Sequence, residues 1–247
     1  MIVALLSGRK GSKGVPDKNI YPIFGRPLMW YPLQAALHSR YIERIYVSTD
    51  SEKIASISLR HKARIIARPK RLATDKALLE DVLQHGVKYI SEDLGKPPEM
   101  IVILLCNAAT VLTKNIDNGI EMLIRDPLLD SVATVALLNQ YSPIRAKRIG
   151  KDGALIPAVD AKKLGLKITC DRKCMGDVYF CDASLWIIRP RCMDYANGQP
   201  PFPWMGKRIF PIIQQGGLDV DDMEGIHDTK YWLNRHGFSK IKTPYQR

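Results

Sequence analysis

The feature that most constrains this chain is a glycine-rich, basic segment, residues 8–19, which follows directly on a short apolar run at residues 2–6. The apolar run, Ile-Val-Ala-Leu-Leu, has the length and branched side chains of a buried first β-strand. Glycines recur at every third position, Gly8, Gly11 and Gly14, and let the backbone turn sharply and expose its N–H groups. The segment contains one acidic residue, Asp17, and four basic residues, Arg9, Lys10, Lys13 and Lys18. Because backbone donors and cations at the carboxyl end of a parallel strand form a cradle for phosphates, we predict a polyphosphate-binding loop here; a solvated basic turn is the alternative.

The loop matches neither of the two familiar phosphate-binding patterns. Its spacing, Gly-x-x-Gly-x-x-Gly, differs from the dinucleotide fingerprint Gly-x-Gly-x-x-Gly. A P-loop requires Gly-Lys followed by Ser or Thr, whereas Gly14 is followed by Val15. The sequence therefore indicates a third kind of nucleotide-binding loop.

Apolar segments of strand and helix length alternate after this loop. Strands are predicted at 2–6, 44–48, 64–66, 100–105 and 130–138, and helices at 27–39, 51–61, 79–90 and 114–125. Repeated β–α units of this length predict an α/β fold of three layers, α/β/α, around a mainly parallel, Rossmann-like sheet. Since ligands bind beyond the carboxyl ends of such strands, the loops at 7–19, 49–50, 67–75 and 106–113 should line one crevice.

The alternation breaks between residues 139 and 175, a stretch rich in Arg, Lys, Gly and Pro. A strand and a helix are expected over 178–192, a Pro- and Gly-rich approach over 202–217, and a last helix over 222–236. The chain shows no internal repeat, so we predict a single domain, 1–247, with an excursion at 139–175.

Two carboxylates alternate near the end of the chain, in Asp219-Val220-Asp221. In an extended segment, side chains two residues apart point the same way, so both acids could face one cation. Mg²⁺ prefers oxygen ligands and commonly binds one or two carboxylates together with substrate phosphates. Capping of the following helix is the alternative role, and Asp222 could supply that cap instead.

The net charge, the length of the apolar runs and the cysteine content argue against a nucleic-acid-binding, membrane or secreted protein. The formal net charge is +12, and the cations are scattered without the signature of a nucleic-acid-recognition module. A field that attracts acidic small molecules explains this charge, so no nucleic acid is expected as a partner. No apolar run approaches the ~18 residues of a membrane-spanning helix, and none resembles a signal-peptide core. We therefore expect a cytoplasmic protein without a membrane partner, whose five cysteines are free thiols.

A series of motifs, in order along nearly the whole chain, resembles the CMP-sialic acid synthetase (acylneuraminate cytidylyltransferase) family. The motifs are Arg9-x-Gly11-Ser12-Lys13-Gly14-x-x-x-Lys18-Asn19, Gly25-Arg26-Pro27-Leu28, Val47-Ser48-Thr49-Asp50, Arg68-Pro69-x-x-Leu72-Ala73-Thr74-Asp75, Gly176-x-Val178-Tyr179 and Leu218-Asp219-Val220-Asp221. The ordered series is far more specific than any one of its members.

The resemblance implies the fold of nucleotide-diphospho-sugar transferases and a Mg²⁺-dependent cytidylyltransferase. Such an enzyme transfers CMP from CTP to a sialic-acid-like nonulosonic sugar acid and releases pyrophosphate. It also implies a homodimer, in which the excursion at 139–175 packs against the second subunit and reaches into its active site.

Roles for individual residues follow from the resemblance together with the chemistry above. The expected catalytic residues are Arg9, Lys13, Asp219 and Asp221, of which Asp219 and Asp221 bind the metal. The expected CTP-binding residues are Arg9, Gly11, Ser12, Lys13, Lys18, Asn19 and Arg68. The expected acceptor-binding residues are Asn107, Thr110, Lys173 and Tyr179, with Arg172, Lys167 and Lys207 as further cations for the sugar carboxylate.

Two segments depart from the family pattern, both on the acceptor side. Residues 105–113 read Leu-Cys-Asn-Ala-Ala-Thr-Val-Leu-Thr where the family carries Leu-Gln-Pro-Thr-Ser-Pro-Leu-Arg. Residues 173–176 read Lys-Cys-Met-Gly where sialic acid enzymes carry Arg-Pro-Asn-Gly. Since buried hydrogen-bonding groups set specificity strongly, these changes predict an altered acceptor, such as legionaminic or pseudaminic acid. A phosphonate or polyol-phosphate acceptor, and a non-catalytic nucleotide- or RNA-binding protein on the same scaffold, are the alternatives.

Overall fold

The structure, a computed structural model, describes residues 1–11, 14–160, 163, 169, 176–215 and 219–245. The β-strands are β1 (Ile2–Ser7), β2 (Pro22–Ile23), β3 (Arg26–Pro27), β4 (Arg44–Thr49), β5 (Arg64–Ala67), β6 (Met100–Leu105), β7 (Ser131–Leu137), β8 (Lys147–Ile149), β9 (Leu155–Pro157), β10 (Tyr179–Ile188) and β11 (Ile209–Ile213). The α-helices are α1 (Trp30–Leu37), α2 (Glu52–Arg60), α3 (Leu79–Leu94), α4 (Thr113–Arg125) and α5 (Met223–Arg235).

Seven strands form the central sheet, in the order β11-β7-β10-β6-β1-β4-β5. Neighbouring strands pair in parallel except β10, which runs antiparallel between β6 and β7. The carboxyl ends of β1, β4, β5, β6, β7 and β11 consequently share one edge of the sheet. The predicted mainly parallel α/β fold is confirmed.

Side chains of successive strand residues enter two separate cores, one on each face of the sheet. Ala4 and Leu6 of β1 pack in a core with residues of α1, α2 and α4, whereas Val3 and Leu5 pack in a second core with residues of α3. Because both faces are covered, the strands consist of nearly continuous apolar residues, as the pattern at residues 2–6 predicted. The three layers expected from the sequence are present.

Three details differ from the expected elements. α1 begins at Trp30 rather than near residue 27, since Pro27 belongs to the β2–β3 hairpin. The helix expected before residue 192 is a single 3-10 turn, Pro190–Met193, with proline at its start. The Pro-rich approach at 202–217 contains the edge strand β11, where Pro211 is tolerated because an edge strand needs only one set of backbone partners.

A third apolar cluster joins the two ends of the chain. Val15 of the glycine loop packs with Val220 and with Trp232 and Leu233 of α5, and all four are buried. The side chain of Asp222 accepts a hydrogen bond from the Gly225 N–H at 2.8 Å and caps α5, so the cap comes from Asp222 rather than from Asp219 or Asp221. The packing of Val15 with Val220 places Asp219 and Asp221 beside the glycine loop.

The described part of the 139–175 excursion contains the antiparallel hairpin β8–β9, whose strand residues are all exposed. Three apolar side chains of this hairpin, Ile149, Leu155 and Ile156, lie open to solvent. Among the helices of the described chain, none combines the length and apolar character needed to span a membrane.

Candidate active site

A cavity of about 550 Å³ opens at the carboxyl-terminal edge of the sheet, beyond β1, β5 and β6. Its lining comes from five segments of the chain: the end of β1 with the glycine loop, the turn after β5, the start of α3, the end of β6 with Asn107, and the segment before α5. The polar lining residues are Ser7, Arg9, Lys18, Asn19, Arg68, Thr74, Asp75, Asn107, Asp219 and Asp221. The predicted convergence of the loops at 7–19, 67–75 and 106–113 is thus observed.

The loop at 49–50 lies outside this cavity, contrary to the expectation of one crevice. It lines an adjoining open cleft that shares Arg68 with the cavity, and Asp50 there accepts a hydrogen bond from the Lys10 N–H at 2.9 Å. The separation arises because the turn after β5 and the buried Arg68 side chain lie between the two spaces.

The glycine loop is held close to the carboxyl-terminal segment. A Cβ added to Gly14 would lie 2.0 Å from the backbone oxygen of Asp221, so only glycine permits this approach. Gly11 has φ +74° and faces open space. The buried Asn19 side chain donates to the Arg9 carbonyl at 2.8 Å and closes the loop. Asn19 therefore shapes the loop as well as lining the cavity.

Arg9 reaches across the cavity mouth. Its guanidinium lies 2.6 Å from a carboxylate oxygen of Asp75, in the turn after β5. Both side chains are partly exposed, at 31% and 40%. An anion that entered the cavity would compete with Asp75 for this cation.

Arg68 is a buried cation at the base of the cavity, only 8% exposed. Its guanidinium donates to the Ser7 hydroxyl at 2.8 Å, and to the hydroxyl and carbonyl oxygens of Ser48 at 3.2 and 2.7 Å. Burial lowers the pKa of Arg68 from its ordinary value. The bonds tie the ends of β1, β4 and β5 together, so Arg68 links three strands as well as lining the cavity.

The two alternating aspartates face the same cavity as the glycine loop. Val220, between them, is fully buried, while Asp219 and Asp221 line the cavity on the other side of the backbone. Lys18 Nζ lies 2.6 Å from Asp221 Oδ1, and the Asn107 amide donates weakly to Asp219 Oδ2 at 3.4 Å. Burial and the nearby Asp221 carboxylate raise the pKa of Asp219.

The expected acceptor residues are dispersed. Asn107 lines the cavity, whereas Thr110 is buried and shares a 2.9 Å hydrogen bond with Ser184. Tyr179 is 45% exposed at the start of β10 and does not line the cavity. Lys207 lies before the amino end of β11, where its N–H bonds Asp130, so it lies at the opposite edge of the sheet from the cavity.

Several expected site residues lie outside the described chain. They are Ser12 and Lys13 in the glycine loop, and Lys167, Arg172 and Lys173 in the excursion.

The sequence reasoning missed Asp75 and the apolar wall of the cavity. Its apolar lining residues are Leu72, Leu79, Val82 and Leu105. Asp75 belongs to the motif Arg68–Asp75, which follows the strand predicted at 64–66. That position at the carboxyl end of a strand could have identified it as a residue of the site. The wall carried no such signal, because its leucines and valine continue the helical and strand patterns.

The described cysteines are free thiols, as expected: Cys106, Cys181 and Cys192. Burial raises the pKa of Cys106 to about 12, although the Arg68 charge opposes this shift. Cys106 packs against the glycine loop, where a Cβ added to Gly8 would lie 2.6 Å from its sulfur atom. Its role on this evidence is packing, since a thiol with such a pKa is not a nucleophile at neutral pH.

Comparison with known proteins points to one enzyme family. The family described as Cytidylyltransferase matches residues 3–126, half of this chain. N-acylneuraminate cytidylyltransferase of Escherichia coli is 36% identical over 91 residues, covering 37% of this chain and 22% of the relative. The Helicobacter pylori protein named pseudaminic acid cytidylyltransferase and UDP-2,4-diacetamido-2,4,6-trideoxy-beta-L-altropyranose hydrolase is 31% identical over 146 residues, covering 58% of this chain and 27% of the relative. The aligned segments thus span about a quarter of the length of these curated relatives.

A solved structure supports the fold over nearly the whole chain. CMP:2-keto-3-deoxy-manno-octonic acid synthetase complexed with CTP superposes with a TM-score of 0.66, covering 95% of this chain and 98% of that chain, at 13% sequence identity. At this identity the likeness concerns the fold alone. The family match includes the glycine loop and the turn after β5, and by this match the chain belongs to the cytidylyltransferase family.

Proposed function

We propose that this chain is a CTP-dependent cytidylyltransferase, which transfers CMP to a nonulosonic sugar acid and releases pyrophosphate. One observation carries the proposal: a cationic glycine loop and a pair of carboxylates, about two hundred residues apart in sequence, line the same cavity. The close approach of Gly14 to Asp221 and the Lys18–Asp221 ion pair fix this juxtaposition. Phosphate-binding cations beside metal-binding oxygens are what nucleotidyl transfer requires.

In this reaction an oxygen of the acceptor sugar attacks the α-phosphorus of CTP. A new P–O bond forms there, the bond to the oxygen bridging the α- and β-phosphorus atoms breaks, and pyrophosphate leaves with that oxygen. Arg9, with Ser12, Lys13 and the loop N–H groups, would hold the β- and γ-phosphates and stabilise the leaving charge. Lys18 sits beside Asp221, where it would contact the transferred phosphate.

The pyrimidine nucleoside would lie against the polar base and the apolar wall of the cavity. Asn19 and Arg68 offer side-chain donors there, and Leu79 and Leu105 offer flat apolar surface. Rigid placement of the nucleotide matters because orientation of the reacting groups supplies much of the rate enhancement.

Asp219 and Asp221 are the residues proposed to hold Mg²⁺. Their oxygens suit this cation, and both side chains line the cavity that the glycine loop also lines. Within the described residues no cluster of three His, Cys, Asp or Glu side chains could hold a metal, so phosphate oxygens would complete the ligand set. When bound, the ion would supply positive charge next to the transferred phosphate.

Acceptor binding is proposed for Asn107, which lines the cavity beside Asp219, and for Tyr179 and Lys173, of which Lys173 lies outside the described residues. We further propose a homodimer formed through the 139–175 excursion. Ile149 and Leu155, which are 78% and 71% exposed, support this because they pair across the hairpin, and contiguous exposed apolar groups are typical of protein–protein contacts. The molecular mass in solution, measured by light scattering, tests the dimer.

The test of the activity is pyrophosphate release from CTP and Mg²⁺ with a panel of acceptors. The panel contains N-acylneuraminic, pseudaminic and legionaminic acids, an eight-carbon keto sugar acid, a phosphonate and a polyol phosphate. We expect release with a nine-carbon sugar acid, and much less when ATP, GTP or UTP replaces CTP. Release with the phosphonate or polyol phosphate alone would overturn the proposed acceptor class. Tight CTP binding without release from any acceptor would overturn the catalytic function.

A further inference from the structure

We propose that Asp182 is a positioning residue, which aligns the loop carrying Asn107 with the segment carrying Asp219. The inference rests on the proposed function for its kinetic consequence, but the alignment can also be measured without turnover. Asp182 lies on the antiparallel strand β10, outside the cavity, and none of the motifs above includes it.

Asp182 is a buried carboxylate with hydrogen-bond partners on both oxygens. It is 5% exposed; Oδ1 accepts from the Thr134 hydroxyl at 2.5 Å and from the Ser184 N–H at 3.0 Å, and Oδ2 accepts from the Gln214 side-chain amide at 2.6 Å. No lysine or arginine forms an ion pair with it among the described residues. Three neutral donors satisfy its oxygens instead, and these bonds fix the positions of Thr134, Ser184 and Gln214 relative to one another.

The first connection leads from Asp182 to the loop after β6. Ser184, held by Asp182, shares a 2.9 Å hydrogen bond with the Thr110 hydroxyl, and the Gln214 amide that binds Asp182 also approaches the Thr110 carbonyl at 3.3 Å. Thr110 lies three residues after Asn107, and the residues between them are fully buried. Asp182 therefore fixes the base of the loop whose tip enters the cavity.

The second connection leads from Asp182 to the segment before α5. Gln214 directly follows β11, where its N–H bonds the Val135 carbonyl at 2.9 Å, and its side-chain oxygen accepts from Asn115 at 2.8 Å. Five residues later the chain reaches Asp219. The two connected segments then meet: the Val220 N–H donates to the Asn107 carbonyl at 2.9 Å, and the Asn107 amide donates to the Val220 carbonyl at 3.1 Å.

The backbone around Asp182 is shaped to make these bonds. Ala183 has φ +57°, a left-handed conformation that is unfavourable for a residue other than glycine. The pairing of β10 with β7 shifts in register between Cys181 and Trp186, which marks a bulge. Bulges in central strands redirect side chains, and this one turns Asp182 and Ser184 toward Thr110 and Gln214.

The decisive variant is Asp182→Asn, alone and combined with Gln214→Glu. Because Oδ1 must still accept from the Ser184 N–H, the new amide nitrogen would face the donor group of Gln214. Gln214→Glu replaces that donor with an acceptor, which can also still accept from Asn115, so the double variant restores the pairing with residue 182 and moves the charge to the other partner. It loses the weaker 3.3 Å contact with the Thr110 carbonyl, so recovery should be partial. The expected result is a kcat lowered about 10- to 100-fold in Asp182→Asn, as a misplacement of about 1 Å can cause, and raised again at least about threefold in the double variant.

A matched control lies at the opposite end of β11. Asp130, on the same sheet, accepts from the N–H groups of Lys207 and Arg208, both at 2.9 Å, and from Arg191 at 2.8 Å. Asp130→Asn should lower the Tm without lowering kcat, since it loosens the edge of the sheet away from the cavity. CTP affinity, measured by calorimetry without acceptor, should remain within about threefold of the parent protein in all these variants.

Hydrogen exchange provides a readout that does not depend on turnover. We expect faster exchange at residues 106–112 and 219–222 in Asp182→Asn, with recovery in the double variant and no change in Asp130→Asn. If the parent protein releases no pyrophosphate, the proposed function fails while this exchange pattern still tests the alignment. Unchanged exchange in Asp182→Asn, or a double variant no better than the single one, would overturn the inference. Should Asp182→Asn fail to fold, Thr110→Val, which removes only the hydroxyl that reaches Ser184, takes its place with the same expected pattern.

Discussion

Lys18 Nζ lies 2.6 Å from Asp221 Oδ1 and 2.7 Å from the Val220 carbonyl oxygen, so one ammonium group joins the first loop of the chain to the segment before its last helix. Lys18 is largely buried, with 17% of its side chain exposed, whereas the Asp221 side chain is 76% exposed. The cation is therefore fixed and the carboxylate is free to turn. If Asp221 turned away to hold a cation, Lys18 would keep its bond to the Val220 carbonyl and stay in place to contact an anionic ligand.

Asp221→Asn should lower turnover by about a hundredfold or more while CTP binding persists in part, because charge placed at the transferred phosphate acts mainly in the transition state. The exposed side chain makes a folding defect unexpected. Asp222→Asn is the matched control, since it removes the neighbouring carboxylate while asparagine still caps α5. Rates of pyrophosphate release and calorimetric CTP affinities check both variants. Equal turnover in Asp221→Asn and Asp222→Asn would refute the metal assignment.

The Arg9–Asp75 ion pair predicts that Asp75 opposes nucleotide binding. Asp75→Asn should raise CTP affinity about two- to fivefold at low salt, because an exposed ion pair of this kind is worth about 0.2–1 kcal/mol. The gain should shrink as ionic strength rises and screens the charges. Arg9→Gln, which removes the other partner, should lower CTP affinity instead. Calorimetric titrations with CTP at two salt concentrations measure these effects, and weaker binding by Asp75→Asn would contradict this role for Asp75.

Asp219 predicts a stability change that depends on pH. Its folded-state pKa is raised, chiefly by burial, so the folded protein favours the protonated form relative to the unfolded chain. This carboxyl group therefore stabilises the fold below its ordinary pKa of 3.8 and opposes folding as pH rises through the folded-state value. Asp219→Asn should accordingly raise the Tm at pH 7 in the absence of Mg²⁺, and this increase in Tm should vanish as the pH falls toward 3.8. The same variant should abolish turnover. Melting curves across this range, without metal, test the sign; a lower Tm at pH 7 would contradict it.

The sequence predicted the parts of the fold and site that depend on local pattern. The strand at residues 100–105 and the helices around residues 79–90 and 114–125 followed from apolar spacing, because burial of those faces is what forms them. The meeting of Arg9 with Asp219 and Asp221 at one edge followed from strand direction together with the family resemblance. Both predictions succeeded because apolar side chains favour burial and charged side chains favour the cavity and the surface.

The other features of the fold and site depend on contacts between residues far apart in sequence, which no local pattern specifies. The direction of β10 and its insertion between β6 and β7 are set by long-range partners, and its apolar residues would suit either direction. Thr110 was expected at the acceptor because threonine is polar, yet a buried hydroxyl is satisfied as well by Ser184. β11 was missed because Pro211 disfavours a strand anywhere except at an edge, and the sequence does not show which strand is the edge.

Gly14 offers a direct test of the contact on which the site depends. In Gly14→Ala the new Cβ would lie 2.0 Å from the Asp221 carbonyl oxygen, a distance at which backbone atoms must move. Because that backbone carries both aspartates, turnover should fall about a hundredfold, in line with the cost of misplacing reacting groups by about 1 Å. Gly11→Ala is the control in the same loop: it bears the left-handed backbone cost of about 1–2 kcal/mol, but its Cβ meets nothing within 4 Å. Comparing kcat and Tm for the two variants separates the effect of displacing Asp221 from the effect of general strain in the loop. If Gly14→Ala were as active as Gly11→Ala, the approach of the loop to Asp221 would be unimportant for catalysis.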